Sequence, residues 1–386
     1  MSGYVQIHSD SYSWFKPIVY DRHLSLLADG VDSYVAWGRG RESGDEFGAS
    51  GQPREFKIST KVGLWRDAAL SRLDDRDGFH SKGETKRLLE WLDAINPDTV
   101  HLHQLHGYYM NVEMLFNWLA AQSCNVIWTL HDCWAFTGHC TYFTMVKCEQ
   151  WRSCCACERS CPQLREYPKA FGRGACKRNF EDKKRLFTMI SPERMTIYTP
   201  SRWLADLVGA SFLSKYPVEV HHNQIDHTVF KPTPSDFRER YGIDDRFMIL
   251  GVANPWTERK GLDDFLQLAA ELDERYAVVL VGLSKKQIKE LPKCIVGIKC
   301  TDSPTELAEA YTAANLFINP SIEETYSMTT AEAAACGTPV AVVEGTACVE
   351  AAEDAKKYVI HLGDLKSVVT QSYQDTICTQ CVSKQK

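Results

Sequence analysis

No stretch of this chain approaches the ~20 consecutive apolar residues that a bilayer-spanning helix needs, so the sequence predicts no span. Positive charge is not in excess. Lys and Arg number 44 against 50 Asp and Glu, and the net charge of -6 excludes a dedicated nucleic-acid binder. The opening residues Met1–His8 lack the charged and apolar regions of a secretion signal, and the expectation is a cytoplasmic protein. Cysteine is plentiful, but its distribution is not that of a disulfide framework, because eight of the 15 fall between Cys133 and Cys176.

What the chain does have is enough apolar material, 44% of 386 residues, for two α/β cores of ordinary size. Strand patterns alternate with helical ones. Val5–His8, Asp32–Ala36, Thr99–Leu102, Val126–Leu130, Thr196–Tyr198 and Val218–His222 read as a first sheet. Phe247–Val252, Ala277–Val281, Ile295–Lys299, Leu316–Asn319 and Val340–Val343 read as a second. Prolines and polar residues separate the two series near Asn223–Pro234, which places the domains at 1–230 and 231–386, each with a parallel sheet. Ligands of such sheets bind outside the carboxyl ends of the strands, so a cleft between the domains is the expected site.

The most informative segment is Asn319–Val343. Leu316–Asn319 reads as a buried strand, 320–327 as a turn, and Thr329–Cys336 as a helix stopped by Gly337. Glu324 therefore precedes the helix and Glu332 lies in its first turns. Eight helical residues rise roughly 12 Å, comparable to the span from a sugar across a diphosphate to a ribose. Between the carboxylates, Ser327, Met328, Thr329 and Thr330 form a helix N-terminus whose free N–H groups suit a diphosphate without a metal. Two glutamates at this spacing are common solvated groups in an acidic chain; the flanking strands, Pro320-Ser321 and the run Glu332–Val340 give the pair its meaning.

Together these residues resemble the E-x7-E signature of the GT4 family of retaining glycosyltransferases. The resemblance implies a GT-B fold, two Rossmann-like parallel-sheet domains facing across a cleft, and transfer of a sugar from a nucleotide-diphosphate sugar, UDP- or GDP-linked, to a saccharide or lipid-linked acceptor. Glu324 would then hold the transferred sugar and Glu332 the donor ribose. Val252–Leu262 follows a strand and would present Arg259 and Lys260 to the diphosphate, which a fork and a point charge neutralise as it departs. Asn254 stands in that binding loop where the family usually carries an arginine. His131, directly after a strand, resembles the histidine that contacts the sugar, and Asp132 is expected to orient its loop. The interdomain segment keeps Asn223 and Asp226 but has Gln224 in place of glycine, and Glu350 matches an acidic residue of the family.

The run Leu130–Cys140 and the cysteine-rich insertion at 138–165 are similar to a GT4 subgroup of polysaccharide biosynthesis, covering capsule and lipopolysaccharide. No cofactor is required for catalysis on this reading. Cys140, Cys148, Cys155 (or Cys154) and Cys161 are candidate ligands of a structural zinc, with Cys157 as an alternative and free buried thiols as the simpler account. Arg165, Lys169, Arg173, Lys177, Arg178, Lys183, Lys184 and Arg185, interleaved with Tyr167 and Phe171, suit either a solvated helix face or peripheral contact with the cytoplasmic membrane.

Some features depart from the family. Ser9–Ile18 has no glycine and carries Tyr12, Trp14 and Phe15 where a glycine-rich turn is usual. The stretch after Glu350 is short, and Cys378–Cys381 near its end is expected to fray. These departures keep open a degenerate nucleotide-sugar-binding or scaffold protein of a polysaccharide assembly system as the alternative.

Overall fold

The computed structural model describes residues 3–10, 16–40, 46–155, 161–171, 174–353, 355–361 and 364–383. The chain divides into two compact units, Met1–His222 and Asn223–Lys386. The stretch with Tyr12, Trp14 and Phe15 lies outside the described residues.

The first unit holds seven parallel strands: β1 (Gly3–Asp10), β2 (Asp32–Arg39), β3 (Glu55–Lys57), β4 (Thr99–Leu102), β5 (Asn125–Thr129), β6 (Met195–Thr199) and β7 (Val218–Val220). Their order is β3-β2-β1-β4-β5-β6-β7, so the winding reverses between β1 and β4. One face carries the apolar core: Val5 and Ile7 of β1, Val100 and Leu102 of β4, and Val126 and Trp128 of β5 pack together. Burial of each such side chain stabilises by roughly 1.5–3 kcal/mol. On the other face β1 and β4 carry polar groups, beside Val35 and Trp37 of β2 and Ile127 of β5. Gln6 donates to the Val19 carbonyl at 2.9 Å, His101 lies 2.7 Å from Thr129 Oγ1 and 2.8 Å from Tyr4 Oη, and His8 and His103 continue the row. A period of two thus sorts apolar and histidine-rich faces in the same strands.

The second unit has six parallel strands, β8 (Phe247–Val252), β9 (Tyr276–Val281), β10 (Ile295–Ile298), β11 (Leu316–Asn319), β12 (Val340–Val343) and β13 (Lys357–Ile360), in the order β10-β9-β8-β11-β12-β13. Its strands are apolar on both faces. Ile249, Val278, Leu280 and Leu316 enter one core cluster, while Met248, Leu250, Val279 and Phe317 enter the other. Continuous apolar runs such as Phe247–Val252 are what a sheet covered by helices on both sides demands.

Two edge strands, β3 and β13, are absent from the sequence reading; with three and four residues and exposed Lys357, neither carries a sustained pattern. The segment expected to fray lies in the last turns of a helix, Leu365–Ser383, whose Val368 and Val369 pack into the second unit's core.

Candidate functional site

In the second unit two loops run against each other at the carboxyl ends of neighbouring strands. One follows β8 and contains a short 3-10 turn, Glu258–Lys260, before the helix Leu262–Glu271; the other, 320–327, follows β11. Arg259 and Lys260 therefore sit in a turn between the strand and the helix. Gly261 makes the approach possible. Its φ is +72°, and a Cβ there would meet Pro320 Cγ at 2.5 Å and Asp264 Oδ2 at 2.7 Å.

Three contacts join the loops. The Ile322 N–H donates to the Arg259 carbonyl at 3.3 Å, Arg259 donates to the Glu323 carbonyl, and Lys260 donates to Glu324 Oε1. Arg259 also stands 3.8 Å from Glu324. Burial pushes the Glu324 carboxyl up, but Lys260 and then Arg259 outweigh it and hold the group below its usual range. It is a buried, ionised carboxylate with cations at its side.

The helix Met328–Ala335 begins four residues on. Ser327 caps it, accepting from the Thr330 N–H at 3.4 Å, at a φ of +82° that a residue with a side chain rarely adopts. Asn319, at the end of β11, holds this conformation: its Nδ2 donates to Ser327 Oγ at 2.7 Å and Thr330 Oγ1 at 3.0 Å, and its Oδ1 accepts from the Ser321 N–H at 3.1 Å. Thr329 and Met328 are half-buried at the same helix start, and Asn254 is exposed in the β8 loop.

Glu332 lies one face further along this helix. Its Oε2 accepts from the Tyr311 hydroxyl at 3.0 Å, and burial raises its carboxyl to about 7, more than the tyrosine lowers it. Among the described residues no cation forms an ion pair with Glu332, so the two carboxylates are in opposite electrostatic states. Tyr311 and Asn319 are the members of this site that the sequence did not single out. No local signal marks Tyr311, which comes from a separate helix, Pro304–Ala313; Asn319 ends the strand that opens the motif.

In the first unit His131 follows β5 and is stacked on His103 at 5.5 Å, with His131 Nε2 3.2 Å from His103 Nδ1. His8, at the end of β1, faces His131 edge-on at 6.1 Å. Burial lowers His131 to about 4, and His8, His101 and His103 fall well below the ordinary histidine range for the same reason, with their neighbours adding to it. The imidazoles are neutral at pH 7. Asp132 bonds the Trp134 N–H at 2.9 Å and lies 2.7 Å from His106 Nε2, which fixes the loop after β5. This histidine group at the carboxyl ends of β1, β4 and β5 was not read from the sequence beyond His131; its signal is the alternation in Val100–His103.

Of the expected zinc ligands, Cys161, Cys154 and Cys148 lie near enough to Cys140 for their charge to raise its thiol, beyond the rise that burial gives it. Cys140 is buried, Cys148 and Cys161 are half-buried, and Cys155 is exposed beside Ser153 Oγ (3.2 Å) and Gln150 Oε1 (3.8 Å). Cys154, at a positive φ, takes the inward position instead and accepts from the Gly138 N–H at 3.2 Å. Among the described residues no group of three or more His, Cys, Asp or Glu side chains is arranged to hold a metal ion, and Cys157 lies outside them. Asp75 anchors the insertion through His139, and Lys183 fixes the turn just before it. Asp75 pairs with His139 and accepts from the Ala175 N–H at 2.6 Å. Lys183, expected among exposed basic residues, is buried: it donates to the Trp134 and Thr137 carbonyls at 2.8 and 3.1 Å, and burial lowers it to about 7. Arg173 is not among the described residues.

Residues 246–373 match the family model described as glycosyl transferases group 1. A relative named "Putative colanic acid biosynthesis glycosyl transferase WcaC", from Escherichia coli (strain K12), is 28% identical over 156 residues, 39% of this chain and 37% of that protein. Alpha-galactosylglucosyldiacylglycerol synthase from Streptococcus pneumoniae is 30% identical over 162 residues, 38% of this chain and 43% of that protein. The chain spans less than half the length of the curated relatives it matches. Among solved structures, sucrose-phosphate synthase from Thermosynechococcus elongatus superposes with a TM-score of 0.66 at 13% identity, covering 98% of this chain and 90% of that one. Anabaena HepE in complex with UDP-glucose gives 0.61 at 13% identity over 97% and 91%. At these identities the likeness establishes the fold, a pair of Rossmann-like parallel-sheet units of the GT-B class.

Proposed function

With its second unit matching the glycosyl transferases group 1 family over residues 246–373, we propose that the chain is a retaining glycosyltransferase. It moves a sugar from a nucleotide-diphosphate sugar to a saccharide or lipid-linked acceptor in cell-surface polysaccharide biosynthesis. The observation that carries the reading is the ion pair of Lys260 with the buried Glu324, beside Arg259 and before the N-terminus of the helix Met328–Ala335.

On this reading Arg259, Lys260 and the free N–H groups of that helix take the diphosphate. A departing diphosphate gains negative charge, and cations already fixed beside it need no reorganisation to stabilise it. The ionised Glu324 accepts hydrogen bonds from the sugar hydroxyls. Glu332 accepts from the ribose, and Tyr311 orients it. Asn254, Ser327, Met328 and Thr329 border the donor. In the first unit, neutral His131 is assigned to the sugar as a hydrogen-bonding group. The leaving phosphate itself takes the acceptor proton, so no separate base is required and no metal enters the step. The polysaccharide pathway is supported by the name of the Escherichia coli relative; the nucleotide-sugar donor is supported by the UDP-glucose complex of a protein of the same fold.

The test separates two roles. Glu324→Gln is expected to keep nucleotide affinity within about threefold and lose transfer by a hundredfold or more, the effect of removing one group aimed at transition-state charge. Glu332→Ala is expected to weaken nucleotide binding itself about tenfold or more, as loss of a charged hydrogen-bond acceptor does. Equal binding and activity in wild type and both variants would remove the assignment.

A further inference from the structure

Three segments of the first unit close a ring of contacts around one buried imidazole. His106 lies in the loop after β4, Asp132 in the loop after β5, and Tyr167 just beyond the cysteine-rich insertion. His106 Nε2 stands 2.7 Å from Asp132 Oδ2, and its Nδ1 stands 3.0 Å from the Tyr167 hydroxyl. Gln104 borders the pair, 3.0 Å from Nε2. The ring closes through Thr141: its Oγ1 donates to the Tyr167 carbonyl at 3.3 Å, and its carbonyl accepts from the N–H of Cys133, the neighbour of Asp132, at 2.9 Å.

The proton positions follow from the charges. Burial pushes the Asp132 carboxyl up, but His106, through charge and hydrogen bond, and the Trp134 N–H outweigh it and hold the group below its usual range. An ionised carboxylate only accepts, so His106 Nε2 carries the proton, and in the neutral ring Nδ1 accepts from the Tyr167 O–H. The loop that carries His106 is held against its preference. Gly107 and Tyr108 have φ of +113° and +68°, and the buried Asp77 side chain accepts from both N–H groups at 3.2 and 3.1 Å. His106 itself meets no ligand. Its side chain is 2% exposed, and the space it lines with His103, His131, Asp132 and Trp134 is about 10 Å³, room for no more than one water. Its effect on His131 therefore passes through Asp132, the adjacent residue of the same loop.

We propose that His106 and Tyr167 are positioning residues: the Tyr167–His106–Asp132 chain holds the loop that presents His131, and the cysteine-rich insertion serves the site by delivering Tyr167 to it. The role of His131 toward the sugar rests on the transferase reading above; the chain that places it does not.

The test is carbethoxylation of the full chain by diethylpyrocarbonate at neutral pH, with the rate at each histidine read by mass spectrometry, for wild type, Tyr167→Phe, His106→Gln and His106→Ala. Tyr167→Phe keeps the ring and removes one hydroxyl. In it His131 is expected to react about threefold or more faster, as loss of one hydrogen bond holding the loop predicts, while exposed His227 and buried His101 keep their wild-type rates. His106→Ala is expected to exceed that rise, and His106→Gln, whose amide can still donate to Asp132, to fall between wild type and His106→Ala. An unchanged His131 rate in either Tyr167→Phe or His106→Ala would overturn the proposal. So would an equal rise at His101 in Tyr167→Phe, because the hydroxyl would then hold the whole unit together and not His131 in particular. Titration of the same variants with UDP reports on the second unit separately, so failure of one reading leaves the other intact.

Discussion

A carboxyl group raised to about 7 is half-protonated in neutral solution, and Glu332 is such a group. Its folded value lies above the ordinary glutamate value of 4.5, so the protonated form favours the folded state. The stability it contributes is complete below pH 4.5 and is lost as pH rises to about 7. Glu332→Gln is therefore expected to melt as the wild type does near pH 4.5 and to be more stable near pH 8 by about 1–2 kcal/mol, less than the full shift gives because the side chain is only half-buried. Urea melts at the two pH values check this, and parallel pH profiles would contradict it. Nucleotide affinity should run the other way and strengthen through about pH 7, because a ribose hydroxyl donates to the ionised form. The spacing of Glu324 and Glu332 is legible in the sequence. Their opposite charge states are not, because Lys260 and Tyr311 reach them from segments 64 and 21 residues away.

At the scale of elements, the site is two loops held at strand ends, and their separation is set by one backbone conformation. Gly261→Ala adds a Cβ where Pro320 and Asp264 already stand and where φ is positive. The expected cost is about 1–3 kcal/mol, with donor affinity reduced because Arg259 and Lys260 shift with the turn. A thermal melt together with a nucleotide titration checks it; an unchanged melt would show that the loops do not depend on this approach. The sequence reading of β11, the turn and the helix comes within a residue of the structure, since Gly337 and the apolar strands punctuate it. The cysteine insertion is read less well: which of Cys154 and Cys155 faces inward depends on a positive φ at Cys154 that no spacing reveals. The helix Lys61–Asp74 buries Asp67 and Ser71 while Val62, Trp65 and Leu73 stay exposed, which binary patterning does not anticipate.

At the scale of the molecule, each unit has its own sheet and its own core, and all the groups proposed for the diphosphate and the ribose lie in Asn223–Lys386. That segment alone is expected to bind nucleotide within about tenfold of the full chain's affinity and to catalyse no transfer, because His131 belongs to the other unit. Titration and a transfer assay on the isolated segment check both parts; a folded segment that binds no nucleotide would contradict the first. The two-sheet architecture was legible because runs such as Phe247–Val252 and Tyr276–Val281 are long and apolar on both faces. The histidine row of the first sheet was not, since burial of a polar face shows only when strands are set side by side.

The central claim is that Glu324, Glu332, Arg259 and Lys260 form a donor site. Calorimetric titration of the full chain with UDP, GDP, ADP and their sugar conjugates, without added metal and beside Glu332→Ala, tests it most directly. The account predicts selective binding of one nucleotide class, lost or weakened about tenfold in the variant. Absence of binding by all of them, or binding that Glu332→Ala leaves unchanged, would contradict it.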